Sequence, residues 1–174
     1  MGQREDLVPI RSTVTRTNVG QTGVRVLGLT YNLVGVRQRF TGAPAAELPP
    51  EVPAGQRTVA EARYYNEAGP AEVILRSGIL FEGATPLPGN RSDLNPGEAV
   101  SRDLIFYADR TRFDSIRFLV GLSYSKLSEP PIPLVLEVAG DGRIAAVPGP
   151  GCGAEPLRCK GLATTDFGTE FSLW

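Results

Sequence analysis

The residue types best suited to chemistry in this sequence are two cysteines and a scattered set of carboxylates. Cys152 and Cys159 lie close together in a segment that also contains Gly151, Gly153 and Pro156, so the chain can turn back and bring the two thiols together. Two thiols do not complete a zinc site on their own. We therefore expect a local disulfide, with two free cysteines or a redox dithiol as the alternatives.

The acid–base chemistry open to the chain is narrow because the sequence contains no histidine. This removes His-based metal sites, Ser-His-Asp and Cys-His nucleophiles, and the usual general base near neutral pH. A glycosidase needs two carboxylates at a set separation. The spacing of the central acidic residues fixes no such pair; these residues are Glu61, Glu67, Glu72 and Glu82. We expect solvated strand faces here, no catalytic site and no cofactor.

Oxygen ligands for calcium are present in the predicted loops, but they do not follow the spacing of an EF-hand. The candidates are Asn90, Asp93, Asp109, Asp114 and Asp141. Asp and Asn are also the usual turn-capping residues, so we expect that role for them and no metal site. The glycine-rich run 149–153 lacks the Lys and Ser/Thr of a phosphate loop and is predicted to be a turn.

The charge composition disfavours nucleic-acid binding. Lys and Arg number 18 against 19 Asp and Glu, which gives a formal net charge of −1 and no basic surplus. A local basic face is the alternative, and its members would be Arg25, Arg37, Arg39, Arg110, Arg112 and Arg117. Ion pairs across neighbouring strands are the simpler expectation for these arginines.

The elements that must position these residues are predicted to be β-strands. Gly and Pro number 20 and 15 in 174 residues, and such a content of helix-breaking residues favours short strands joined by turns. The clearest alternation places Ile116, Phe118, Val120, Leu122 and Tyr124 on one face of a half-buried strand. Residues 24–40 predict one bulged long strand or two strands with a kink.

Further strands are predicted at residues 58–65 and 73–81. Two more are predicted on either side of Gly140–Gly142, a sequence that suits a hairpin turn. We expect the core to contain the following apolar side chains: Phe118, Val120, Leu122, Leu104, Phe106, Leu75 and Leu136. The sequence thus predicts an all-β, antiparallel β-sandwich, immunoglobulin-like or jelly-roll, with long loops and extended termini.

One part of the chain carries a family resemblance. Residues 60–66 form a predicted strand, residues 94–98 form a turn before the next strand, and a third strand begins at Ile116. On these features the portion 57–124 resembles the broad class of bacterial immunoglobulin-like domains. The resemblance implies a sandwich, and it says little about function because a fold of this kind serves many roles.

The length predicts a single β-sandwich domain over residues 1–174, with an N-terminal arm at 1–12 and a cysteine loop plus C-terminal strand at 148–174. No apolar run reaches the roughly 20 residues that span a bilayer. Residues 1–11 lack the apolar segment of a signal peptide, so either the protein is not exported by that route or the sequence is that of a mature form. A disulfide would favour an extracellular, cell-surface or virion location.

The two ends of the chain predict an interface. Val8 and Ile10 lie in a polar setting near the start, and Phe167, Phe171 and Trp174 lie near the end. Because exposed apolar ends are unusual in a soluble monomer, we expect the tail either to dock on its own sheet or to pair with the edge of a neighbour.

Taken together, these features predict a non-enzymatic structural or assembly protein. It would act through protein–protein contacts with itself or within a larger assembly, as a virion component, a filament or layer subunit, or an accessory subunit. An extracellular carbohydrate- or protein-binding β-sandwich module is the alternative function. Neither class requires a cofactor.

Overall fold

The computed structural model describes residues 5–37, 71–81 and 93–174, and these ranges are mostly β. The described strands are β1 (Leu7–Thr17), β2 (Val24–Arg37), β3 (Ala71–Phe81), β4 (Asp93–Leu94), β5 (Ala99–Asp109), β6 (Ser115–Lys126), β7 (Leu134–Val138), β8 (Ile144–Pro148) and β9 (Ala163–Ser172). A short helix, α1 (Pro150–Ala154), and a 3₁₀ turn (Pro156–Cys159) precede β9. The all-β prediction is confirmed at this level. The strand predicted at 58–65 lies outside the described residues.

A four-stranded antiparallel sheet in the order β3-β2-β6-β9 forms the centre of the fold, and the two-residue strand β4 pairs with one end of β2. The alternation predicted for β6 is correct, because Ile116, Phe118 and Val120 are almost completely buried. Leu33 of β2 lies opposite Phe118, and Thr169 of β9 lies opposite Phe118 on its other side. We call the face that carries Phe118 the apolar face and the opposite side of the sheet the polar face.

Strand β2 is one long strand with bulges, which is the first of the two alternatives predicted from the sequence. Its pairing with β6 shifts register between Val26 and Gly28, and its pairing with β3 shifts between Leu33 and Val34. Gly35 is required by packing, because a Cβ there would lie 2.5 Å from Cε1 of the Phe113 ring. The glycine therefore lets an aromatic ring lie directly on the strand backbone.

A two-stranded ribbon, β1–β5, covers the apolar face of the central sheet. Val14 of β1 and Leu104, Phe106 and Ala108 of β5 belong to the same buried cluster as Phe118. Each of these residues alternates with an outward-facing neighbour, which is the pattern of a strand buried on one side. Residues 7–12, expected as an arm, form the first half of β1.

The ribbon is fixed to the central sheet at one end by Asn18. Its side-chain Nδ2 donates to the Leu94 carbonyl at 2.9 Å and to the Thr22 carbonyl at 2.8 Å, and its backbone N–H donates to the Glu98 carbonyl at 3.0 Å. Residues 95–98 form the turn that the sequence predicted, with Gly97 at φ +78°, a value that favours glycine.

The predicted core is wrong for two residues, Leu75 and Leu136. Leu75 is 36% exposed because the bulge in the β2–β3 pairing leaves it as the extra residue between Ile74 and Arg76. Leu136 is 49% exposed because β7 pairs with β8 in a separate hairpin and does not enter the central core. Leu122 is only partly buried against the core cluster, while the other four expected residues are buried.

Candidate functional site

The polar face of the central sheet carries the β7–β8 hairpin, and a cleft of about 900 Å³ lies between them. Ala146 of β8 and Leu134 of β7 approach Gly28 of β2, and Ile144 of β8 lies over Asn32. The hairpin turn at residues 139–143 is the one that the glycines at 140 and 142 predicted. We call the space beneath the hairpin the hairpin cleft.

Asn32 attaches the hairpin to the sheet. Its Nδ2 donates to the Ile144 carbonyl at 3.0 Å, and its Oδ1 accepts from the Ile144 N–H at 2.9 Å. This pair of bonds imitates a strand pairing, with a side-chain amide in place of a backbone peptide. The same Oδ1 also accepts from Ser77 Oγ at 2.7 Å. The Asn32 side chain thus positions the hairpin through both of its polar atoms.

A chain of ion pairs supports the hairpin tip on the same face. Arg143 contacts Asp141 at 3.0 Å and Glu72 of β3 at 3.4 Å. Glu72 also accepts a 2.5 Å bond from Arg117 of β6, which in turn reaches Glu170 of β9 at 3.4 Å. The hydrogen bond with Glu72 is the main reason that the pKa of Arg117 is raised above its ordinary value. Glu72 is therefore a structural carboxylate held between two arginines.

Small side chains make the floor of the hairpin cleft. At Gly121 of β6, a Cβ would lie 3.1 Å from Oδ1 of Asp166 and 3.3 Å from Oγ1 of Thr30. These two oxygens come from the strands on either side, β9 and β2, so Gly121 leaves a notch between them. Gly168 likewise leaves room for Leu119, whose Cδ2 would lie 2.8 Å from an added Cβ. The floor is consequently open and lined with oxygen atoms at its centre.

A second surface is the outward face of the β1–β5 ribbon. Ile105 and Tyr107 alternate with the buried residues of β5 and are 60% and 67% exposed. Pro9 lies opposite Tyr107, and Arg11 lies opposite Ile105. Arg11 also forms an ion pair with Asp103 on the same face. Pro9, Ile105 and Tyr107 therefore form an apolar group beside the Arg11–Asp103 ion pair.

The residues expected at an interface occupy different environments. Val8 and Ile10 are partly buried against the core, as is Phe171. The C-terminal stretch pairs with β6 of its own chain, which is the first of the two dockings expected for it. Phe167 is 47% exposed, and Trp174 is 77% exposed with the Arg110 guanidinium 5.7 Å from its ring centre. An interface role for these residues stays a prediction.

Cys152 and Cys159 form a disulfide, with their Cα atoms 5.5 Å apart. The bond joins α1 to the 3₁₀ turn in the segment between the hairpin and β9. The expected loop is therefore partly helical, although α1 buries none of its described residues.

The remaining candidates for chemistry are dispersed. No cluster of three acidic or cysteine residues that could hold a metal occurs within the ranges that the structure describes. Arginines of the expected basic face have separate partners: Arg25 contacts Asp93, Arg110 contacts Asp6, and Arg37 donates to the Thr111 carbonyl at 2.8 Å. Asp109 caps its own turn, accepting from the Thr111 N–H at 2.9 Å. The carboxylates at 61, 67 and 82 lie outside the described residues, as do Arg39 and Asn90.

Sequence reasoning did not find the hairpin cleft. The outward row of β6, with Leu119, Gly121 and Ser123, was recognisable as the face opposite to the core, and its small residues were the available signal. Nothing in the sequence indicated that the hairpin folds over this row, because the bonds that place it join Asn32 to a residue far along the chain. Thr30 and Asp166 were missed for the same reason.

Comparison with known proteins gives no relative: no family model, no curated protein and no solved structure matches the chain. In the part of the chain that the structure describes, no helix has the length and apolar character needed to cross a bilayer.

Proposed function

We propose that this protein is a non-enzymatic structural or assembly protein that acts through protein–protein contacts, and that its contact surface is the outward face of the β1–β5 ribbon. The observation that supports this proposal is the exposure of Ile105 and Tyr107, side by side with Pro9. A contiguous apolar patch on a soluble domain usually marks an interaction site. Tyr is moreover enriched at the centres of protein interfaces.

The partner that fits this face is a second copy of the same chain. Arg11 and Asp103 lie on the face beside the apolar group and balance each other. A two-fold contact places the same patch on both subunits, and a face of balanced charge meets its own copy without net repulsion. Each ribbon strand has a single pairing partner among the described strands, so the contact can also use strand edges.

The proposal also covers the type of β-sandwich and the cellular location. The shared core of ribbon and central sheet supports a β-sandwich of immunoglobulin-like or jelly-roll type. The Cys152–Cys159 disulfide supports an extracellular, cell-surface or virion location, since disulfides persist in oxidising surroundings.

Sedimentation velocity over a concentration series tests the proposal. The double variant Ile105→Thr/Tyr107→Thr keeps strand-forming residues while removing most of the exposed apolar area. We expect the wild type to associate with rising concentration and the variant to remain monomeric. Val135→Thr, at another exposed strand position (42%), is the matched control and should associate as the wild type does. A wild type that stays monomeric throughout contradicts self-association.

A binding module is the second candidate function, and the hairpin cleft is the observation that favours it. Its volume of about 900 Å³ falls in the range of small-ligand sites, roughly 300–1,000 Å³. This cleft lies on the polar face of the central sheet, whereas the ribbon covers the apolar face. The two functions are therefore compatible and can be tested separately.

A further inference from the structure

Two buried residues with hydroxyl groups line the hairpin cleft without a side-chain partner. Thr30 is 3% exposed and Ser123 is 4% exposed. Within residues 5–37, 71–81 and 93–174, neither side chain takes part in a hydrogen bond. Buried hydroxyls in native proteins normally have a hydrogen-bond partner. Neither oxygen is among the fully buried, unpartnered side-chain atoms of the described residues, so both hydroxyls open into the cleft, where their unused capacity is available to a polar ligand.

Two carboxylates line the same cleft. Asp166, whose Oδ1 adjoins the notch at Gly121, and Glu137 on β7 have no ion pair or hydrogen bond to any residue that the structure describes. In contrast, the nitrogen donors that line the cleft are engaged. Arg143 binds Glu72 and Asp141, and Asn32 Nδ2 donates to the Ile144 carbonyl.

The balance of donors and acceptors defines the ligand class. Ionised carboxylates only accept hydrogen bonds, whereas a guanidinium or ammonium group only donates them. An anion would find no spare cation among the lining residues that the structure describes. A neutral sugar offers as many acceptors as donors, and among the side chains with unused capacity only the hydroxyls could donate to it. The lining is best matched by a ligand that carries donors and positive charge.

The apolar part of the lining suits the rest of such a ligand. Val138 of β7, which is 70% exposed, lines the cleft together with Leu119 and Ile144. Long cationic side chains characteristically lay their aliphatic stem along apolar surface and direct the charged group to polar partners. A carboxylate and a guanidinium form the strongest hydrogen-bonded pair available to neutral-pH side chains.

We propose that the hairpin cleft binds an organic cation, a guanidinium group on an aliphatic stem, with Asp166 and Glu137 as charge partners and the Thr30 and Ser123 hydroxyls as further acceptors. This inference rests on the second candidate function, binding by the cleft, and is independent of assembly through the ribbon. The cation reaches the cleft either as a free small molecule or as an arginine side chain of a peptide, and the two sources share the same chemistry.

The test is an NMR titration of the full-length protein with two probes of matched shape, butylguanidinium and neutral butylurea. Butylguanidinium should shift the backbone amides of Gly121 and of residues 164–168, and butylurea should not. Asp166→Asn should weaken butylguanidinium binding roughly tenfold or more, the scale of a lost charged hydrogen bond. Asp103→Asn on the ribbon is the matched control and should leave the affinity unchanged. Thr30→Val should weaken binding while preserving the side-chain shape.

The capped tripeptide acetyl-Gly-Arg-Gly-amide distinguishes the two sources. Tighter binding of the tripeptide than of butylguanidinium supports a peptide arginine, and the reverse order supports a free cation; both orders support the cation site. Equal responses to butylguanidinium and butylurea, or an unchanged affinity in Asp166→Asn, overturn the proposal. If the cleft amides respond only to a neutral oligosaccharide, the cation proposal is overturned and the binding function is retained. If they respond to no probe, both the cation proposal and the binding function are overturned.

Discussion

The two faces of the central sheet are covered in different ways. The apolar face is sealed by the β1–β5 ribbon through interlocking side chains such as Phe106 and Phe118, which lie in one buried cluster. The polar face is bridged by the β7–β8 hairpin through directed bonds from Asn32 and Arg143, and a cleft remains beneath it. Apolar packing is non-directional and excludes water, whereas a few polar bonds can hold a layer above an open space.

This difference separates what holds the fold from what is available for binding. The sealed face provides the stability, and the outward face of its β1–β5 ribbon is exposed to solvent. On the bridged face the Thr30 hydroxyl and the Asp166 carboxylate line the cleft, whereas a fully packed layer would cover them. The contrast predicts unequal effects of mutation on the two sides.

The largest effect is expected on the apolar face. Phe118→Ala should lower the free energy of unfolding by about 3–5 kcal/mol, because it leaves a cavity in a fully packed core. The next residue, Leu119, points to the polar face, and Leu119→Ala should cost about 1 kcal/mol, as is common for partly exposed positions. Urea unfolding of both variants measures the two losses. Equal losses would remove the distinction between the faces.

The second effect concerns the segment that follows the hairpin. Replacing Cys152 and Cys159 together by Ser should cost about 2–3 kcal/mol through the loop-closure entropy of a short loop. Comparison of the urea midpoints of the variant and the wild type measures this loss. Two alkylatable thiols in freshly isolated wild-type protein, detected by mass spectrometry, would show that the bond is absent.

The third effect concerns the attachment of the hairpin. Asn32→Ala removes both bonds to Ile144 and should cost about 1–3 kcal/mol, because the Ile144 peptide groups lose their partner. The β7–β8 amides should then lose protection from hydrogen exchange while those of β6 keep it. Ser77→Ala removes the hydroxyl that contacts Asn32 Oδ1 and the Gly142 carbonyl but keeps both bonds to Ile144, so it should have a smaller effect. If the amides of β7 and β8 lost protection together with those of β6, the hairpin would be part of the core.

The smallest effect is expected on the outside of the ribbon. The pKa of Asp103 is lowered from its ordinary value of 3.8, first by the hydrogen bond from Thr13 and then by that from Arg11. A lowered pKa means that the stabilisation is present at neutral pH and is lost as the pH falls below 3.8 through the folded-state value. Thr13→Val should raise this pKa, as followed by NMR titration. Thr15→Val, whose hydroxyl bonds Ser101 instead, should leave it unchanged.

The sequence predicted those features that depend on local pattern. Alternation identified β6 and its buried row, and the glycines at 140 and 142 identified the hairpin turn. The cysteine spacing led to the correct expectation of a disulfide. Prediction failed where the position of a strand depends on distant partners. Leu136 has the apolar pattern of a core strand, yet β7 pairs only with β8 among the described strands and overhangs the polar face.

The candidate sites were less predictable than the fold for a physical reason. Ile105 and Tyr107 are apolar residues on the outer side of a strand, and only the pairing of β5 with β1 reveals which side is outer. The hairpin cleft combines residues of β2, β6, β7 and β9, whose proximity follows from the whole sheet order. A local pattern carries no information about such a combination.

Native-state hydrogen exchange over a range of denaturant tests the division between the two faces most directly. Amides of β2, β5 and β6 should exchange only through global unfolding, since these strands share the sealed core. Amides of β7 and β8 should exchange through a local opening of lower free energy, because their hairpin is held by few polar bonds. Exchange of the hairpin with the same free energy and denaturant dependence as β6 would contradict the account, because both faces would then belong to one cooperative core.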